Sequence, residues 1–459
     1  MVQGASSWAG KSLLTTALAR LIARRGISVA PFKAQNMSNN ARVVDGGEIG
    51  VAQYLQAVAA RVRPDVRMNP VLIKPEAEDR SQVVILGRAD LDLSRQRWER
   101  RPPSLWPVIR DAYESLAAEY DLIIIEGAGS PAEINLRDTD LANMPTARLA
   151  DARVLLVADI DRGGAFAHLY GTWALLDPPD RARLCGFVLN KFRGDPKLLR
   201  DGPAQLEEKT GVPVLAVVPL VDHGVPDEDG AALARSEPDR PVVAVVRAPA
   251  SSNLDEFKAL EQVVNVVWAG APEDLENADL VVLPGSKHVA SDLAWMRARG
   301  LESAVAAAPR VLGICGGLQI LGGRVDDPDG VEGAAEGFGL IGVRTTLDRD
   351  KTTRRTRTRF GTLPEPWAAL SGIEVDGYEI RHGHTEATGA AAALPGGLGF
   401  VEGSRLGVYV HGLFEQPAFA RALLAAAPTR TLDEEIDRLA DAVGEHLDVD
   451  RLLDLAAIL

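Results

Sequence analysis

Two stretches of the chain combine reactive residue types with the spacing that would position them. The first is Gly4-Ala5-Ser6-Ser7-Trp8-Ala9-Gly10-Lys11-Ser12, followed at once by an apolar helical pattern from Leu13. Small residues let backbone N–H groups face a phosphate, and the helix that follows adds the positive end of its dipole. Lys11 would neutralise phosphate charge and the Ser12 hydroxyl suits Mg2+, with ATP as the nucleotide. The usual loop has its first glycine one residue later, where this chain has Ala5, and Trp8 is large for such a turn. The competing reading of Gly10-Lys11-Ser12 is a plain helix N-terminus with a glycine turn. Its place at the head of an α/β pattern favours the nucleotide.

The second stretch is Val311-Leu312-Gly313-Ile314-Cys315-Gly316-Gly317-Leu318-Gln319, read as strand, tight turn and helix start. It sets the Cys315 sulfur on an elbow, where a helix N-terminus favours thiolate and the Gly316 N–H can serve an oxyanion hole. The turn Pro284-Gly285-Ser286 ends another strand and makes Gly285 a second oxyanion candidate. His411, after Val408-Tyr409-Val410, is the natural base for the thiol. The other cysteine, Cys185 in Leu184-Cys185-Gly186-Phe187, reads as a small buried hydrophobe.

Glu126 closes the apolar run Leu122-Ile123-Ile124-Ile125, and beside a phosphate loop a strand-end acid suits a Mg2+ ligand. The alternative is a surface acid. Three polar stretches also follow expected strands, and their candidates for a carboxylate-rich substrate are Lys33, Asn36, Asn135 and Asp161. Amide-rich turns are also commonly structural. His382, His384 and His411 match no zinc spacing. The basic run 351–359 alternates Thr and Arg and reads as a solvated strand face, with contact to an acidic ligand as a minor alternative.

These residues need a scaffold. At 459 residues the chain exceeds one ordinary core, and 46% hydrophobic with 25% charged residues is a globular composition. Apolar runs at 27–31, 122–125, 153–158, 187–189 and 214–218 alternate with helical patterns, which predicts a parallel sheet buried on both faces. A second α/β pattern uses 242–246, 280–283, 310–314 and 406–410. The predicted division is a nucleotide-binding domain over 1–225, a linker over 226–240 and a second domain over 241–430. An amphipathic helical tail over 431–459 completes it. Residues 1–3 are expected to form a short central strand, and so little chain before a phosphate loop suggests native residues upstream of the recorded start.

A net charge of −14 argues against nucleic acid as a partner, since such binding needs a basic face. No apolar run is long enough for a membrane span and no secretory signal is legible, so a cytoplasmic address is expected. The oligomeric state is left open.

Several motifs resemble one family in order along nearly the whole chain: PFKAQNMSNN, GEIGVAQ, MNPVLIKP, EGAGSPAEINLR, DIDRGG and NKFRGD. They look like the cobyric acid synthases, glutamine-dependent amidases of cobalamin synthesis. The phosphate loop also resembles the deviant loops of dethiobiotin synthetase and the ParA/MinD ATPases; the latter carry a signature lysine where this chain has Ser6. The resemblance implies a dethiobiotin synthetase-like P-loop domain joined to a flavodoxin-like class I glutamine amidotransferase domain. It further implies Lys33 near an acyl phosphate, Asn190 near adenine, and Asn253 and Glu379 near glutamine. The implied substrate is adenosylcobyrinic acid a,c-diamide, amidated at its b, d, e and g carboxylates. Rivals are a cobyrinic acid a,c-diamide synthase, a ParA/MinD-like ATPase, or a synthetase with an inactive glutaminase. Class I enzymes ordinarily carry a Glu two residues after the histidine, where this chain has Leu413, so the group orienting His411 is not evident.

Overall fold

The computed structural model describes residues 1–77, 80–227 and 237–456. Most of the linker expected over 226–240 lies outside the described residues. No helix among the described residues is long and apolar enough to cross a membrane.

The first half is built on short parallel strands. Strands β1 (Val2–Gly4), β6 (Val154–Asp159), β7 (Leu184–Phe192) and β8 (Val214–Pro219) pair in that order. A second parallel pair, β2 (Val29–Phe32) and β5 (Leu122–Ile125), joins them through a bridge between Val2 and Glu126. The short central strand expected at the N-terminus is therefore present. Helix α1 (Lys11–Arg24) leaves β1 through the phosphate loop, and α2 (Val51–Ala59) follows a hairpin of β3 (Ala41–Val44) and β4 (Gly47–Gly50).

The second half centres on a seven-stranded sheet. Its parallel part runs β10 (Asn265–Ala269), β9 (Val242–Val246), β11 (Leu280–Leu283), β12 (Val311–Ile314) and β17 (Arg405–Val408). Two antiparallel edge strands follow, β16 (Gly399–Glu402) and β15 (Ala391–Leu394). A long antiparallel hairpin of β13 (Val343–Arg359) and β14 (Glu374–Ala387) projects against the first half. Both halves are thus mixed α/β, and every apolar run read as a parallel strand is one, within a few residues. The strand face expected over 351–359 is the end of β13; the rest of that hairpin and the β3–β4 hairpin lack the uninterrupted apolar run that marks a buried strand.

The run 351–359 is only partly a solvated face. Arg357 and Arg359 are exposed and pair with Glu374, but Lys351 is buried against Glu48 of the first half. The tail forms two helices, α4 (Leu432–Gly444) and α5 (Val449–Leu455), rather than one. Thr431 and Glu434 make a reciprocal capping box at the start of α4. Its apolar face (Ile436, Leu439, Val443) joins the core of α1, so the end of the chain returns to its beginning. Arg20, fully buried on α1, holds Asp433 and Asp437 of α4.

Candidate functional site

At the nucleotide end, Gly10 has φ 93°, and a Cβ there would lie 2.1 Å from the Asn190 amide nitrogen. Only glycine fits that turn. Asn190 donates to the Ala9 carbonyl at 2.9 Å, so it props the phosphate loop from beneath. Trp8 also has a positive φ; its ring is half exposed at the cleft, and its carbonyl accepts Lys191 Nζ at 2.7 Å. Lys11 Nζ donates to the carbonyls of Ser6 at 3.2 Å and Gly129 at 3.1 Å, curled over the loop where phosphates would displace them.

Glu126 gathers the rest. It is fully buried at the end of β5, accepting from Ser12 Oγ at 2.9 Å, Lys33 Nζ at 2.8 Å and Gln56 of α2. A buried carboxylate is tolerated only with such partners. Ser12 Oγ and Glu126 Oε1 are two adjoining hard oxygens, which fits Mg2+, an ion that takes few protein ligands and fills its shell from phosphate and water. Among the described residues no group of three or more His, Cys, Asp or Glu could hold a metal ion.

The loop opens into a cleft of about 1760 Å³, well above the ~300–1,000 Å³ of ordinary small-molecule sites. Lys33, Asn36 and Asp161 line it. Asn36 is fixed by Gln53 at 3.0 Å, and Asp161 is paired with Arg193 at 2.7 Å. Asn135 is exposed and does not line the cleft, although Leu136 and Arg137 beside it do. Lys33 thus belongs to the Glu126 cluster, Asn36 and Asp161 line the cleft with other partners, and Asn135 lies outside it.

At the other end, Cys315 has φ 53° and ψ −108°, a strained elbow between β12 and helix α3 (Gly316–Leu321). Its flanking glycines are required sterically: a Cβ on Gly317 would sit 2.0 Å from the Leu283 carbonyl, and one on Gly316 would sit 2.6 Å from the Ser286 nitrogen. Gly316 therefore packs directly on the Gly285–Ser286 strand beside the nucleophile. His411 contacts the Cys315 sulfur through its side chain, and its Nδ1 lies 2.9 Å from Glu256 Oε1. The second Glu256 oxygen accepts the Gly412 N–H at 2.8 Å.

Cys315, His411 and Glu256 thus stand in a line of contacts, the arrangement that a nucleophile, a base and an orienting acid require. Burial disfavours the charged ring, but the Glu256 carboxylate and the Cys315 sulfur outweigh it and raise the His411 pKa to about 10. Tyr378 stacks on the imidazole, with centroids 5.3 Å apart.

Glu379 behaves differently from the glutamine contact expected of it. Its carboxylate is buried and occupied by Arg354 at 2.8 Å, Thr356 at 2.6 Å and Arg381 at 3.0 Å. Glu379 does not line the small cavity at Cys315, whereas Arg381, two residues on, does. Asn253 lines the same cavity while donating to the Ala41 carbonyl at 2.7 Å. That cavity is about 20 Å³, enough for roughly one water. Lys74 of the first half and Lys351 form part of its wall.

Glu256 was not legible in the sequence. It lies 155 residues before His411, in an irregular helical segment (Leu254–Gln262), and nothing local separates it from an exposed acid. Gln56, which holds Glu126, was missed for the same reason.

Comparison with known proteins agrees with this arrangement half by half. Residues 1–225 match the CobQ/CobB/MinD/ParA nucleotide binding domain, and residues 242–419 match the CobB/CobQ-like glutamine amidotransferase domain. A cobyric acid synthase of Polaromonas sp. strain JS666 is 51% identical, covering 100% of this chain and 98% of that protein. One from Variovorax paradoxus strain S110 is 54% identical, covering 100% and 99%. Another from Paracidovorax citrulli strain AAC00-1 is also 54% identical, covering 98% and 96%. Two domain matches in series and full-length identity above one half lead to one conclusion: the chain belongs to the cobyric acid synthase family of glutamine-hydrolysing ligases.

Proposed function

We propose that the chain converts adenosylcobyrinic acid a,c-diamide to adenosylcobyric acid, amidating the b, d, e and g carboxylates with ATP and glutamine. The observation that carries this is the pairing of two complementary sites in one chain: Cys315–His411–Glu256 in one half and Lys11–Ser12–Glu126–Lys33 in the other. The cleft volume supports a bulky second substrate beside the nucleotide.

In the glutaminase half, the Cys315 sulfur, its proton already passed to His411, attacks the glutamine side-chain amide. The backbone N–H groups of Gly316 and Gly285 would serve the developing oxyanion. The His411 imidazolium, held by Glu256, then protonates the leaving ammonia, and water releases glutamate from the thioester. In the synthetase half, Lys11 stabilises the transferring phosphoryl group while a substrate carboxylate attacks it. Lys33 faces the acyl phosphate so formed, and ammonia displaces phosphate to leave the amide. Ser12 and Glu126 would hold Mg2+, which supplies charge neutralisation on the phosphates. Asn190, which lines the cleft and props the loop, is the candidate contact to the adenine, and a cytoplasmic setting fits the thiol nucleophile.

The test is product mass with ATP, glutamine and corrinoid. Four added amides support this reading; two would indicate the a,c-diamide synthase reaction instead. Cys315→Ala should abolish glutamine-dependent turnover and keep ammonia-dependent turnover, and survival of the former would refute the nucleophile.

A further inference from the structure

The back of the glutaminase triad is completed by the other half of the chain. Leu254 donates its N–H to Asn40 Oδ1 at 2.9 Å, and Asn253 donates to the Ala41 carbonyl at 2.7 Å and the Tyr378 hydroxyl at 3.0 Å. Between these contacts Arg42 of β3 enters, its side chain 6% exposed. Its Nε reaches Asp255 Oδ2 at 2.7 Å, and a terminal nitrogen contacts both Asp255 and Glu415. The guanidinium also lies 5.4 Å from the Tyr378 ring centroid, the ring that stacks on His411, and 5.7 Å from Tyr54.

The charges explain why so much converges on one residue. Asp255, Glu256 and Glu415 are three acids facing two cations, Arg42 and the His411 imidazolium, with Tyr378 and Tyr54 as the neutral neighbours. Asp255 is fully buried, its Oδ1 has no hydrogen-bond partner, and burial already pushes its carboxyl up against the pull of Arg42. Without Arg42, Asp255 and Glu415 would repel the adjoining Glu256 with only His411 to balance them. A proton taken up by this group would compete with the carboxylate that His411 needs. Lysine would keep the charge but lacks the planar fork that spans two acids and two rings, so it substitutes only in part.

We propose that Arg42, contributed by the synthetase half, is a positioning residue of the glutaminase: it neutralises Asp255 and Glu415 and so keeps Glu256 available to His411. Glutamine hydrolysis is then conditional on the two halves being docked. This rests on the Cys315–His411 reading above.

The experiment compares glutamine-supported and ammonium-supported amidation by the full-length protein. Arg42→Met should lower glutamine-supported turnover about 10- to 100-fold, as expected for losing hydrogen bonds between charged groups, while ammonium-supported turnover stays within about twofold. The acid limb of the glutamine-supported pH profile should also move to higher pH. Adding Asp255→Asn and Glu415→Gln to Arg42→Met should recover about tenfold of the loss, because the unbalanced acids are gone. Unchanged turnover, equal loss of both activities, or a loss that the added changes do not relieve would overturn the assignment. If Arg42→Met gives no folded protein, Arg42→Lys carries the same comparison with a smaller expected loss. Cys315→Ala runs in parallel: if it kept glutamine-supported turnover, the failure would belong to the glutaminase reading and not to Arg42.

Discussion

Glu256→Gln isolates the orienting acid with almost no change of shape. Both Glu256 oxygens accept from N–H donors, one from the His411 ring at 2.9 Å and one from the Gly412 backbone at 2.8 Å. Glutamine offers one acceptor and one donor, so its NH2 must face one of those groups. Facing Gly412, it opposes a backbone donor that cannot turn away. Facing His411, it requires Nδ1 to be unprotonated, which puts the proton on the nitrogen that should take one from Cys315. A hydrogen bond to a charged group is worth about 1.5–3 kcal/mol, or about 10- to 150-fold in rate, and the inverted tautomer adds to that. The expected loss in glutamine-dependent kcat is therefore about 10²- to 10³-fold, below the ~10⁴-fold seen for the matching change in a serine protease triad. Steady-state glutaminase assays beside ammonia-dependent amidation measure it. Retention of glutamine-dependent kcat within about threefold would refute the triad, since no single hydrogen bond to charge would then be at stake.

The same pair carries a pH signature. A histidine raised to about 10 in the folded chain, against 6.5 as its ordinary value, stabilises the fold fully below about pH 6.5 and loses that contribution as pH rises toward 10. The melting-temperature advantage of the unmodified protein over Glu256→Gln should accordingly shrink between pH 7 and pH 10, and a constant difference would argue against a charged His411. Gly10→Ala forces a side chain into a left-handed turn and against Asn190, so calorimetric ATP affinity should drop at least about tenfold; unchanged affinity would remove the loop from the nucleotide site. Glu126→Gln weakens the oxygen pair offered to Mg2+ and removes the carboxylate charge that Lys33 faces there, so the Mg2+ concentration for half-maximal ATP-dependent turnover should rise about tenfold. Leu439→Ala empties a buried site between α4 and α1 and should cost about 2–5 kcal/mol of stability, visible by calorimetry as earlier melting of the nucleotide-binding half.

Several elements were legible because their signals are local. The phosphate loop and the Cys315 elbow each join a strand to a helix within a few residues, and the glycines that permit the turn are adjacent to the group it presents. Buried parallel strands read as uninterrupted apolar runs because both faces are covered. The tail's periodicity identified an amphipathic helix, but not the break between α4 and α5 or the surface that α4 covers.

What the sequence by itself determined was the pair of candidate chemical ends: a phosphate-loop sequence ending in Lys11 and Ser12, and a thiol at Cys315 with His411 as its proposed base. Tertiary structure decided what stands behind them. Glu256 takes the place that Leu413 cannot fill, Gln56 and Lys33 converge on Glu126, and Arg42 crosses from one half to brace the other. The physical reason is the same in each case. A buried charge must find an opposite charge or a hydrogen-bond partner in three dimensions, and the chain can supply that partner from any distance along its length.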